Sequence, residues 1–189
     1  MTAKKDLKRL VRARLKKTGE SYAAALRQIR KRVRGAPVAV APALRRVEKP
    51  EVGFALRVPG DWREDRPDPF NDSDEVARFF GPGPDMQNCL VFRRPAEPGA
   101  DALRIARSAQ AHFGETGYGN FRRSAVAVAG LPGARLDFDR PNSWGEGVWA
   151  LRHTIVVAAG HVFVASFGTT RPERDAGLVN SLAAGFELI

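Results

Sequence analysis

Between Trp149 and Phe167 the side chains alternate with period two on both sides of an Ala159-Gly160 pair, and that pattern restricts the chain to folds built around an antiparallel hairpin. Successive side chains of a strand point to opposite faces. Trp149, Leu151, His153, Ile155 and Val157 therefore share one face of the first strand, and Phe163, Ala165 and Phe167 share a face of the second. Both strands are too apolar to stand in water as an isolated ribbon, so further strands or a helix must cover them.

The remaining segments supply that cover. Phe54, Leu56 and Val58 alternate with Ala55 and Arg57 before Pro59-Gly60 ends the run and Trp62 follows. A loop-rich stretch continues to about Asn88, with a short helix expected over residues 74–80 and punctuation at Gly81-Pro82-Gly83-Pro84. Residues 89–93 read as a short strand. Residues 101–113 read as a helix, with Leu103, Ala106, Ala109 and Phe113 on one side. Residues 121–129 alternate weakly, and Gly130-Leu131-Pro132-Gly133 is the expected turn into a strand over 134–139. Thr170 would open a last helix with Glu173 as capping-box partner and Leu178, Val179, Leu182 and Phe186 inward. Strands dominate the centre and helices lie between and after them, which makes the class α+β with an antiparallel sheet.

The charge of the 189-residue chain is unevenly placed. Residues 1–36 carry 13 Lys and Arg against two acids, Asp6 and Glu20, a net of +11, whereas the other 153 residues carry 18 basic and 19 acidic side chains, a net of −1. Within the basic segment Leu7, Leu10, Val11 and Leu15 form one helical stripe. Gly19 is a terminator, Ser21 a cap, and Tyr22, Leu26, Ile29 and Val33 form a second stripe. Residues 1–34 thus read as a basic αα-hairpin arm, 35–50 as an Ala/Pro-rich linker, and 51–189 as the folded body. Lys4, Lys5, Lys8, Arg9, Arg12, Lys16, Lys17, Arg27, Arg30 and Lys31 are the candidate polyanion contacts. Three uses stay open for the arm: a solvated docking face, a grip on nucleic-acid phosphates, or a cleaved organelle-targeting segment. The stretch around Thr18-Gly19-Glu20-Ser21-Tyr22 is similar to the two helices of ribbon-helix-helix DNA-binding domains, without the β-ribbon that reads DNA there. The apolar run over 36–44 is interrupted by Pro37 and Pro42 and makes no secretory signal, so a cytoplasmic location is expected. No run is long and apolar enough to span a membrane.

Catalytic chemistry is not assembled in the sequence. His112, His153 and His161 lack metal-pair spacing, and His153 among apolar neighbours reads as a core histidine. Cys89, the one cysteine, reads as a buried inert thiol. No nucleophile elbow, phosphate-binding loop or dinucleotide fingerprint is present. Asp61, Glu64, Asp65, Asp68, Asp72, Asp74, Glu75 and Asp85 make an acidic loop, in which Asp72, Asp74 and Glu75 are weak candidates for a hard cation, without the spacing or glycine of a calcium loop. Trp62 and Trp149 read as packing residues. Trp144, in the turn-like Pro141-Asn142-Ser143-Trp144-Gly145-Glu146-Gly147, is equally a partner contact.

The strand ending Phe54-Ala55-Leu56-Arg57-Val58-Pro59-Gly60-Asp61-Trp62, the Gly130-Leu131-Pro132-Gly133-Ala134 turn, the late hairpin and the helix after Ser166-Phe167 resemble PsbP-like α/β/α sandwiches, a family with DcrB-type and Ran-binding relatives. The resemblance covers residues 50–189. It implies a sandwich with a central antiparallel sheet and a non-catalytic binding or accessory module for a protein partner or apolar ligand, with a chaperone-like role open to it. It implies no cofactor. The sheet face, or the groove beside the final helix, would hold the partner, with Trp144, Phe163 and Phe167 as candidate contacts. The alternative reading is a nucleic-acid-associated protein that binds phosphates through its arm.

Overall fold

A computed structural model describes residues 43–82, 86–143 and 147–189. The basic arm expected over 1–34, with all ten polyanion candidates, and Trp144 lie outside the described residues. The described chain forms ten strands and two helices: β1 (Leu44–Lys49), β2 (Phe54–Pro59), β3 (Arg63–Asp65), β4 (Glu75–Phe80), β5 (Gln87–Pro95), α1 (Ala102–Glu115), β6 (Gly119–Val128), β7 (Leu131–Pro141), β8 (Val148–Ala158), β9 (His161–Thr169), α2 (Pro172–Ala184) and β10 (Phe186–Leu188). Seven strands form an antiparallel sheet in the order β3-β4-β5-β9-β8-β7-β6, and β1-β2-β10 form a smaller one.

The expected hairpin is β8–β9. Its ladder closes at Ala158↔His161, and Ala159 and Gly160 both take positive φ (47° and 73°), the two-residue loop whose twist matches the strands it joins. A second loop of this kind, Ala129-Gly130, joins β6 to β7. The turn therefore falls earlier than Gly130-Leu131-Pro132-Gly133, and Leu131 to Gly133 belong to β7. Pro132 fits there because the β7–β8 ladder begins only at Gly133↔Val156, so the inner ladder does not need its missing N–H.

One sheet face carries α1, which packs on β6, β7 and β8. Asp101 caps it by accepting the Arg104 N–H at 2.8 Å. Ala102 and Ala106 meet Ala134, Leu136 and Phe138 of β7, Ile155 of β8 and Val162 of β9. The small alanines let the helix approach the sheet closely. The other face meets α2 and the small sheet: Phe54, Leu56 and Val58 of β2 and Leu182 of α2 pack on Val91, Val156, Ala165 and Phe167.

Four expectations are corrected. Residues 74–80 are not a helix: Glu75–Phe80 form β4, with buried and half-buried residues in strict alternation, because pairing with β5 outweighs local helix preference. The linker does not reach residue 50, since Leu44–Lys49 pair with β2 as β1. The capping box from Thr170 is not formed. Arg171 is the N-cap but its side chain does not cap the helix, Pro172 lies in the first turn, and the Thr169 hydroxyl accepts from Arg171 N (2.9 Å) and donates to Asp175 Oδ2 (2.6 Å). Phe186 lies beyond α2, which ends at Ala184. Gly185 turns the chain against Arg57, where a Cβ would sit 2.9 Å from the arginine Cβ, and Phe186 begins β10 opposite Leu56.

Candidate functional site

Alternation gives β7 and β8 two different surfaces. Leu136 and Phe138 point to α1, whereas Arg135, Asp137 and Asp139 point away from it. On β8, His153 and Ile155 face α1, and Arg152 and Thr154 face the other way. The layer on that second side reaches Val126 and Val128 of β6 but leaves the Asn120–Arg122 end of that strand open. A groove of about 400 Å³ remains beside α2, floored by these charged residues and by Arg122, with Phe167 and Thr169 at its base and Pro172, Glu173, Ala176 and Val179 as its helical wall.

The floor is an ordered charge network. Arg122, Asp137 and Arg152 lie opposite one another across β6, β7 and β8. Asp137 Oδ2 accepts from Arg135 Nε at 2.7 Å, and its Oδ1 accepts from Arg152 Nε at 2.6 Å. Arg152 Nη1 reaches Asn180 Oδ1 on α2 at 2.5 Å, tying floor to wall. Asn120 donates to Asp139 Oδ1 at 2.8 Å. Two guanidinium groups thus share the Asp137 carboxylate, and Arg122 stands exposed without a charged partner among the described residues. Such charge-assisted bonds fix the arginines in place while leaving N–H donors open to a ligand.

The wall is anchored by Asp175, which is buried at the start of α2. Burial pushes its carboxyl pKa up, but hydrogen bonds from Arg174, Gln87 and Thr169 more than offset this and hold it below the usual aspartate value. On the opposite, α1 side of the sheet the packing of β8 against the neighbouring β9 is equally tight. Trp149 lies over Gly168, where a Cβ would collide with the indole ring and with Asn88 Oδ1, so only glycine fits.

The residues expected to carry function fall elsewhere. Phe163 and Phe167 are core side chains, 3% and 1% exposed. Phe163 packs towards Phe186 and Phe167 lies beneath the groove, so neither offers a ring to a partner, because the α2 side of β9 is the inner face. Asp72 Oδ1 accepts from Asp74 N at 2.9 Å and shapes a turn. The Glu75 carboxylate is enclosed and occupied by Arg78 Nε (2.5 Å) and Nη2 (2.8 Å), Asn71 Nδ2 (2.6 Å) and Asp68 N (3.1 Å). It is a latch that holds the acidic loop on β4, which corrects its reading as a cation ligand. Among the described residues no group of three or more His, Cys, Asp or Glu side chains could hold a metal ion. His153 is buried between Phe113 and Phe138, and burial lowers its pKa to about 4. The Cys89 thiol is buried and its pKa is pushed up. Neither group borders the groove. No helix of the described residues is long and apolar enough to cross a membrane.

Sequence reasoning missed Arg122, Arg135, Asp137 and Arg152. The available signal was period-two charge in β7, where Arg135, Asp137 and Asp139 alternate with Leu136 and Phe138.

Among the solved structures similar to this chain are three of known description. Cyanobacterial PsbP (CyanoP) from Synechocystis sp. PCC 6803 aligns with a TM-score of 0.61 at 14% identity, covering 82% of this chain and 96% of that one. The Saccharomyces cerevisiae Ran-binding protein Mog1p aligns with a TM-score of 0.54 at 11% identity, covering 78% and 96%. LpqN, involved in cell envelope biogenesis of Mycobacterium tuberculosis, gives 0.53 at 15% identity, covering 77% and 90%. At these identities the likeness is one of fold: the body has the PsbP-like α+β architecture that its sequence resembles. No family model matches the sequence. No curated protein matches it.

Proposed function

We propose that the chain is a non-catalytic binding or accessory module that holds a protein partner in the groove beside α2. The observation that carries this reading is the Arg135–Asp137–Arg152 network, a rigid donor-rich floor in an open groove about the size of a small-ligand site. The two groups with strongly displaced pKa values, Cys89 and His153, are buried away from it, which argues against general acid–base or nucleophilic chemistry there. A charged floor favours a polar protein segment over an apolar ligand. A Ran-binding protein of the same fold makes a protein partner reasonable for this one. Chaperone-like service to that partner, a cytoplasmic location and docking through the basic arm over 1–34 belong to the same reading.

Affinity capture at moderate salt tests it. Wild type should retain a protein that is lost from both Arg122→Glu and Ala176→Arg, on opposite sides of the groove, but kept by Leu103→Arg, since Leu103 of α1 is exposed although its spacing groups it with the buried Ala106. Equal capture by all four would sink the groove as the binding site.

The +11 charge of residues 1–36 supports a second reading, nucleic-acid association. Binding through six or more phosphate contacts should weaken with a log–log salt slope of about −0.9 per contact on duplex DNA. Absence of DNA and RNA binding by the full chain at low salt ends it.

A further inference from the structure

The seven-stranded sheet ends in two edges of opposite character. At one end lies β3, three residues long and charged at each, Arg63, Glu64 and Asp65. A short charged strand is a blunted edge that deters further pairing. At the other end lies β6, ten residues long, paired only with β7 among the described residues. Its charges, Arg122 and Arg123, sit at its beginning, and the irregularity in its ladder is confined to the same end, between Gly119 and Arg122. From Ser124 to Val128 the edge is uncharged, regular and built of small or β-branched side chains, with Ala125 and Ala127 exposed. Among the described residues none of the usual protections of a free edge covers this segment: no charge, proline, bulge or overlying element.

We infer that β6 pairs edge to edge with β6 of a second copy of this chain, antiparallel about a twofold axis through Ala125. The strand is self-complementary in that register. Arg122 and Arg123 of one copy fall opposite Val128 and Ala127 of the other, so no two arginines face each other, and Ala125 meets its own mate where a larger or charged side chain would collide or repel. Arg123 is already directed towards α1 by its bond to Gln110 Oε1 at 2.7 Å, which clears the edge. Side chains opposite each other across an antiparallel pair share a face, so the axis is perpendicular to the sheet. One continuous sheet then runs through both copies, and both grooves open on the same side. The pairing does not depend on what the groove binds.

Sedimentation and light scattering of the full chain test this, with a mass twice that of one chain expected for the wild type. Ala125→Lys places two lysines face to face on the axis and should return the protein to the mass of one chain. Ala127→Lys, whose side chain is also exposed, should weaken the pairing with an unchanged circular dichroism spectrum. Ala125→Cys should form a covalent dimer under mild oxidation, while Leu44→Cys, exposed on β1, should not, and the buried Cys89 does not compete. A wild type with the mass of one chain, a dimer that survives both lysine variants, or cross-linking of Ala125→Cys no faster than Leu44→Cys would each overturn the inference.

Discussion

The two faces of β7 and β8 are made by the same residues in alternation and serve opposite ends. Towards α1, Leu136, Phe138 and Ile155 are at most 3% exposed, and Phe138 joins Phe113, Tyr118, Phe121 and His153 in a ring cluster. Away from α1, Arg135, Asp137 and Arg152 stay partly buried and spend their hydrogen bonds on one another and on Asn180. A strand whose two faces differ this sharply has its register set firmly, since a one-residue slip would put Asp137 into the aromatic cluster and Phe138 into the groove. The apolar face supplies the rigidity that the charged face needs to hold its donors in place.

The largest effect should come from the apolar side. Phe138→Ala removes a ring stacked on Phe113 at a centroid distance of 4.6 Å and should cost about 3–5 kcal/mol of unfolding free energy in a urea titration. A cost below about 1 kcal/mol would mean that the cluster collapses around the gap and is not the rigid layer described. Next comes acid. His153 has a folded pKa of about 4 against 6.5 in the unfolded chain. The unfolded chain therefore takes up a proton that the folded chain refuses. Its contribution is complete above pH 6.5, is lost as pH falls from 6.5 towards 4, and changes little below that. About 2.5 pH units of displacement correspond to roughly 3 kcal/mol. His153→Leu should remove that part of the pH dependence of the urea midpoint, and an unaltered slope between pH 6.5 and 4 would assign the acid sensitivity to other groups. Asp175, held below its usual value, contributes stability that is lost only at lower pH, so the two windows separate.

The two faces were unequally legible in the sequence. The β8–β9 hairpin and α1 could be read because period and turn chemistry agreed, with Ala159-Gly160 between two alternating runs and Asp101 at the head of a 3.6-residue stripe. The β4 strand is not legible in the sequence, because Asp74 and Glu75 before an apolar run imitate a helix start and only pairing with β5 decides against it. Phe163 and Phe167 resemble contacts in the sequence because a strand pattern says which residues share a face and not which face is covered. That depends on where α2 and the distant β2 come to rest. The groove was illegible for the same reason. Arg122, Asp137 and Arg152 stand 15 positions apart in sequence and become neighbours only through the β6–β7–β8 register.

On the charged face a single deletion should have a smaller effect. Asp137→Ala leaves two partly buried guanidinium groups without their shared acceptor and should cost about 1–3 kcal/mol, the range for charge-assisted bonds. Asp137→Asn, which keeps an acceptor oxygen, should recover part of this in the same urea titration. A cost equal to that of Phe138→Ala would make the floor a structural element on a par with the core.

The smallest stability effect and the sharpest test of the comparison belong to Arg122. It lies opposite Asp137 in the β6–β7 register, yet Arg135 and Arg152 already occupy that carboxylate, and Arg122 is exposed. No charged partner among the described residues needs its charge, so Arg122→Glu should change the unfolding free energy by no more than about 0.5 kcal/mol. Partner capture should nonetheless fall, because the substitution reverses the charge at the open side of the groove. A stability loss without a binding loss would place Arg122 with the packed face, and the division of labour between the two faces would fail at the residue where it is most exposed to test.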